Sequence, residues 1–255
     1  MLHQNPDWAY PQMDQILRYT ARQLVSNHLT TDISVLVAAE SLLRPDTGLI
    51  SLAVPDKRLF FGFFRPLSTT GKFLAAYRDS RSRHSAADLF DSVAYLATMG
   101  PDIAWGWRST DAVKQLYSLD DAYQKFRHAG ETVDHEYEDC NGWTFTPASF
   151  ELLILELSAL GVLDWHIQRI LPQNEEEFIV HLARGRAIFE SGEALEKRLF
   201  ELMKEIQREL YKQAQYYLAE EATFRQKIKN VYRAIWQQTV PVPARRRVAQ
   251  LRGKI

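Results

Sequence analysis

Apolar positions along this chain recur with two different periods, and the changes of period mark out its elements. Between Pro11 and about Asn27, apolar Ile16, Leu17, Leu24 and Val25 fall at helical spacing and Pro11 suits a first helical position, so the stretch predicts a helix. A second helix is predicted from about Ile33 to Leu43, capped by Asp32 and stopped by the turn Arg44-Pro45-Asp46-Thr47-Gly48. Leu49 to Val54 is then a short, mostly apolar run halted by Pro55, which is how a buried strand reads.

From Asp56 to about Gly142 the pattern is mixed. It holds the aromatic cluster Phe60, Phe61, Phe63 and Phe64, Gly-Trp turns at Trp105 to Trp107, and predicted helices around Ser85 to Met99 and Asp111 to Ala129. This part is expected to be an insertion that carries specificity, not a second core. Regular order returns at Thr146-Pro147, where Phe150, Leu153, Ile154, Leu157 and Leu160 share one helical face and Gly161 closes the helix. Val162 to Leu171 and Glu177 to Leu182 are strand-like, and Pro172, Gln173 and Asn174 between them predict an antiparallel hairpin. The domain is expected to end near Arg184. Beyond Gly192, apolar positions from Leu195 to Ile235 are spaced by threes and fours, a mean of about 3.6, the period of a straight helix. Such a helix is roughly 65 Å long, so it is expected either to break or to pack in part on another chain.

Composition adds three limits. The single cysteine, Cys140, excludes a disulfide scaffold and a cysteine-based zinc site. Apolar runs such as Leu152 to Leu155 are far shorter than a membrane span, which takes roughly 20 residues. The first residues show no signal-peptide pattern, so the expectation is a cytoplasmic protein. The net charge of −1 conceals a split, because residues 225–255 carry nine basic and no acidic groups while the rest carries 22 basic and 32 acidic. A body with a separate basic end follows.

The stretch Leu42-Leu43-Arg44-Pro45-Asp46-Thr47-Gly48 and the following Leu49 to Arg58 resemble the post-helix turn and fifth strand of class I S-adenosylmethionine-dependent methyltransferases. More narrowly, Phe64 to Thr70, Arg83-His84, Trp143 to Phe150 and Glu177 to Val180 resemble a bacterial methyltransferase-like group associated with surface polysaccharides. The resemblance covers roughly residues 28 to 184. It implies an α/β fold: a partial class I methyltransferase (Rossmann-like) sheet over 1–184, with 56–142 as an insertion, then a long helix and basic tail over 185–255. It also implies S-adenosylmethionine as cofactor and a sugar or glycan as acceptor.

Departures from that pattern accompany it. The cofactor of this fold lies over a glycine-rich turn after the first strand, where only glycine lets backbone approach closely. The first glycine here is Gly48, and no two glycines are spaced as GxG. The resemblance therefore implies a chain that begins halfway through its domain and lacks the cofactor-binding strands, either a fragment or a degenerate copy. The missing strands are expected to leave the strand near position 50 with an edge, covered by the N-terminal helix or by a partner. The family's Glu-His pair stands here as Asn27-His28, and its Asp-x-His-x-Trp as Asp139-Cys140-Asn141-Gly142-Trp143.

The candidate site residues follow from both sources. His84, near neutrality in its unperturbed pKa, is a candidate general base, and His28 a cofactor- or substrate-side residue by the resemblance or else a surface histidine. Asp56, Lys57 and Arg58 lie at the carboxyl end of a strand, where ligands of open α/β sheets bind, and read as a pocket wall or a charged turn. Arg65 and Arg83 offer guanidinium forks for a phosphate or carboxylate, or solvated charge. Trp143 stacks on a sugar or packs under the following helix. The acidic group Asp134, His135, Glu136, Glu138 and Asp139 reads as oxygen ligands for a divalent cation or, as acidic loops usually are, as solvated charge, and no metal site is assigned. The competing function is a non-catalytic scaffold whose helix, 193–238, mediates oligomerisation, with residues 225–255 docking on an anionic membrane surface. No nucleic-acid motif accompanies the basic end.

Overall fold

In the computed structural model, which describes residues 16–20, 32–44, 48–81, 83–107, 113–129, 140–172 and 176–239, the strand expected near position 50 is an inner strand. This strand, β2 (Leu49–Pro55), buries Ile50, Leu52 and Val54 and half-buries the residues between them. Both of its long sides are paired. On one side β1 (Ile16–Thr20) runs parallel, Ile16 opposite Leu49 and Thr20 opposite Ala53. Parallel neighbours need a crossover connection, and the crossover contains α1 (Asp32–Leu42). On the other side β6 (Glu177–Arg184) runs antiparallel, with Ile50 opposite Leu182 and Val54 opposite Phe178. β5 (Trp165–Pro172) pairs antiparallel with β6 and completes the order β1-β2-β6-β5. Its register shifts between Ile167 and Arg169.

β1 corrects the helix expected over Pro11 to Asn27. Ile16, Leu17 and Tyr19 suit a strand as well as a helix, and five paired positions along β2 outweigh a loose helical spacing. The expected edge of β2 is thereby covered by a strand and not by a helix. The remainder of that expected helix lies outside the described residues.

The insertion contains α2 (Thr70–Arg78), α3 (Ala86–Ala94), the antiparallel pair β3 (Ala97–Met99) and β4 (Val113–Gln115), and α4 (Leu119–His128). Two of the expected helices are shorter than their patterns. The first ends at Ala94 and the second starts only at Leu119, and Ser85 and Ser118 begin them through a capping box with the aspartate three residues on. The apolar residues before Ser118 and after Tyr95 pair instead as β3 and β4. The insertion is also less separate than expected, since Phe73 and Ala76 of α2 are buried in the main core beside Trp143 and Phe145.

α5 (Pro147–Ala159) places Leu153, Ile154 and Leu157 against Ile50, Leu52, Val180 and Leu182 in that core. Leu160, expected on the same face, is 63 % exposed because the helix has ended and Gly161 turns the chain at φ +72°. The indole Nε1 of the fully buried Trp165 donates to the Leu36 carbonyl at 2.9 Å, tying α1 to β5.

The last helix, α6 (Gly192–Thr239), runs unbroken for 48 residues. Two compact units divide the chain, Met1–Leu210 and Tyr211–Ile255. Within the first, Leu202 and Ile206 of α6 are buried with Ala148 and Leu155 of α5. The second contains the rest of α6; Pro241, Pro243 and Arg245 to Arg247 lie outside the described residues. The protein is a mixed α/β chain with a long C-terminal helix.

Candidate functional site

The carboxyl end of β2 turns at once into a tight loop. Asp56 donates its N–H to the Glu176 carbonyl, Lys57 donates to the Phe145 carbonyl, and Leu59 closes the turn on Asp56, all at 2.8–2.9 Å. Asp56, Lys57 and Arg58 are all buried in this turn. Both oxygens of Asp56 accept from Arg58, Oδ1 from Nε at 2.8 Å and Oδ2 from Nη2, and the guanidinium lies 5.4 Å from the centre of the Trp107 ring. Lys57 donates through Nζ to the Phe63 carbonyl at 2.8 Å. Burial pulls its pKa down to about 8 against the attraction of Asp56. These three residues hold the turn together.

A second group converges on Gly142. Arg65 donates to the carbonyls of Asn141 and Gly142, the latter at 3.3 Å. Lys72 on α2 donates to the same Gly142 carbonyl at 3.2 Å and pairs with Asp88 on α3 at 2.6 Å. The His84 ring lies against the Gly142 backbone, where a Cβ would stand 3.3 Å from Nδ1. Trp143 is buried, its ring 3.7 Å from that of Phe73 with Lys72 above it. The structure therefore brings Arg65, His84 and Trp143 together, and Trp143 takes its packing role. Arg83 is exposed at the approach to α3. His28 and the acidic group 134–139 lie outside the described residues. Among the described residues no three potential metal ligands converge.

Beside this group a cavity of about 780 Å³ opens between α3 and α4. Leu89, Ser92 and Val93 of α3, with Leu96 beyond it, make a largely apolar wall; Asp121, Gln124, Lys125 and His128 of α4 make a polar one. Phe61 and Tyr117 add aromatic surface, and Cys140 and Asn141 complete the lining. Each wall follows the i, i+3, i+4, i+7 spacing of a single helix face. That spacing is present in the sequence, but the packing of the two helices, Phe90 edge-on to Phe126 included, sets the two faces opposite one another.

Glu209 on α6 is a residue that sequence reasoning missed. Its carboxylate accepts from the Ala148 N–H at the first turn of α5, at 3.3–3.4 Å. Burial raises its pKa, with Arg58 and the Ala148 N–H pulling the other way and Asp56 adding to the rise. Nothing local in the sequence signals a partner some 60 residues away.

Among the described residues, no glycine cradle of the kind S-adenosylmethionine takes stands after β2. Gly62, the first glycine after β2, would drive a Cβ to 2.9 Å from the Phe60 ring and 3.2 Å from the Thr144 methyl, so its space is already packed with side chains. Among the described residues, the four glycines at positive φ, 100, 106, 161 and 185, stand elsewhere in the chain. No protein-family model, curated protein or solved structure matches this chain.

Proposed function

We propose that this chain is the acceptor side of a class I methyltransferase-like domain, and that by itself it binds a sugar or glycan without transferring a methyl group. One observation carries the reading: β2 lies between a parallel neighbour reached through a helix and an antiparallel closing pair. A strand so placed, followed by a final up-and-down pair, is what the resemblance over residues 28 to 184 implies. The α3–α4 cavity supports the acceptor assignment. It sets aliphatic and aromatic surface opposite amide, imidazole and ammonium groups, as a ring with one apolar face and a hydroxyl rim requires.

Calorimetry on the whole chain tests both halves of the proposal. S-adenosylmethionine is expected to give no heat, and micromolar binding would restore the enzyme. A panel of nucleotide sugars and surface-type oligosaccharides is expected to contain a saturable ligand whose binding is lost in Gln124→Trp. Failure of the whole panel removes the sugar module.

The scaffold is the second reading, favoured by Phe200 and Met203, which stand 58 % and 46 % exposed on α6 within the first unit. Truncation at Arg184 is a poor test of it, since it removes the buried Leu202 and Ile206. Sedimentation of Phe200→Glu/Met203→Glu serves instead: an oligomer that dissociates supports the scaffold. No helix among the described residues is long and apolar enough to cross a membrane, and co-sedimentation of the whole chain with anionic liposomes tests docking of 225–255.

A further inference from the structure

α4 carries two rows of side chains away from the core. Of its ten residues only Ala122 is buried, and that side chain seats the helix on the fold. Asp121, Gln124, Lys125 and His128 line the cavity. Leu119, Tyr123 and Phe126 form a second row at the i, i+4, i+7 spacing, and they are 67 %, 52 % and 43 % exposed. The row is ordered within itself. Phe126 stands edge-on to Phe90, and the Tyr123 ring lies nearly parallel to that of Phe126, with 6.4 Å between centres and 9° between planes. Rings held this way give up little freedom on being covered, and tyrosine is frequent where interfaces concentrate their energy.

The charges beside this row select what covers it. Asp120 and Asp121 stand in the first turn of α4, and Lys125, Arg127 and His128 in the last. A polyanion is repelled at the first turn and a basic peptide at the last. The matching face carries the same two signs in reverse order along a helix of equal length, and a second α4 laid antiparallel is such a face. A parallel copy would set like charges side by side. Asp120 and Arg127 are both exposed. Seven residues separate them, two helical turns or about 10.5 Å, so they flank the apolar row on one edge. A two-fold axis between Tyr123 and Gln124 therefore sets Asp120 of each copy beside Arg127 of the other. The two Tyr123 rings then meet near the axis, and each Leu119 lies against Phe126 of the other copy.

We propose that α4 is a self-association surface, through which two copies of this chain pair isologously with their α4 helices antiparallel. A ten-residue helix is about 15 Å long, too short to bury the ~1,200 Å² of a stable interface, so the dimer is a weak and concentration-dependent one. The surface is separate from α6, whose Phe200 and Met203 favour the scaffold reading, and from the cavity wall on the same helix. The inference therefore holds whether or not a sugar binds.

Sedimentation velocity on the whole chain, over about a hundredfold range of concentration reaching about 1 mM, tests it. A monomer–dimer equilibrium is expected. Tyr123→Glu, which sets two carboxylates against each other at the axis, is expected to abolish it while the circular dichroism stays native. Asp120→Arg and Arg127→Asp are each expected to weaken the dimer about tenfold, since each turns two attractions into two repulsions. A one-to-one mixture of those two variants is expected to recover it, because every 120–127 contact between unlike chains is then attractive. A mixture no tighter than its components overturns the pairing. A native chain that stays monomeric throughout overturns the proposal and leaves the row to a different partner. Phe200→Glu/Met203→Glu is expected to keep the equilibrium; a dimer lost in that variant and kept in Tyr123→Glu assigns the association to α6 and overturns the proposal.

Discussion

Arg58 holds Asp56 through a two-point contact, Nε to Oδ1 at 2.8 Å and Nη2 to Oδ2, with the two side chains 9 % and 5 % exposed. Residues two apart in a chain seldom face each other, and they do so here because the turn after β2 folds back on itself. The pair fixes the point at which the insertion leaves the sheet. Asp56→Ala leaves a buried guanidinium without its carboxylate and is expected to destabilise by about 3–5 kcal/mol, whereas Asp56→Ala/Arg58→Met is expected to lose less. Urea denaturation of the wild type, both single variants and the double variant measures the coupling; purely additive losses would show that the contact carries no energy of its own.

Lys57 gives the fold a dependence on alkaline pH. Its folded pKa is near 8, below the 10.5 of an unperturbed lysine, so between those values the unfolded chain binds more protons and stability rises with pH. The gain from this group across that window is about 3 kcal/mol. The difference in urea midpoint between wild type and Lys57→Met is expected to shift in favour of the wild type as pH climbs from 7 to about 10. A difference that stays flat means the ammonium is solvated.

Glu209 acts at the acid end. Its carboxyl is raised above the ordinary 4.5, so its contribution is complete below 4.5 and is lost as pH rises through the folded value. Glu209→Gln keeps an acceptor for the Ala148 N–H and no longer titrates. The variant is expected to lack the wild type's loss of stability just above pH 4.5, read as the pH profile of urea midpoints for the two proteins.

Trp165→Phe removes the indole N–H that the Leu36 carbonyl accepts and leaves a void in a fully buried site. A loss of about 2–4 kcal/mol is expected from the unmatched carbonyl and the cavity together. Thermal unfolding followed by circular dichroism checks it.

The sheet was legible where the local signal and the global demand agree. Leu49 to Val54 is mostly apolar because one of its faces is buried and the other half-buried, and the hairpin announces itself through Pro172 and the alternation of Phe178, Val180 and Leu182. β1 reads as helix because Ile16, Leu17 and Tyr19 carry no period strong enough to decide, and its pairing with β2 is made across a separation of more than 30 residues. At the site, the cluster Asp56, Lys57 and Arg58 was visible from its place after a strand. Its role was not, because the same charges serve a ligand or a turn equally well until partners such as Phe63 and Trp107 are in view. Glu209, Lys72 and the opposition of the two cavity walls arise only from tertiary packing, which no window of the sequence contains.

The slipped register between Ile167 and Arg169 falls on the outermost ribbon of the sheet. A ribbon interrupted there presents an uneven row of amides and carbonyls, against which a second copy cannot zip in step. Growth of the sheet by a visiting strand is thus discouraged at β5.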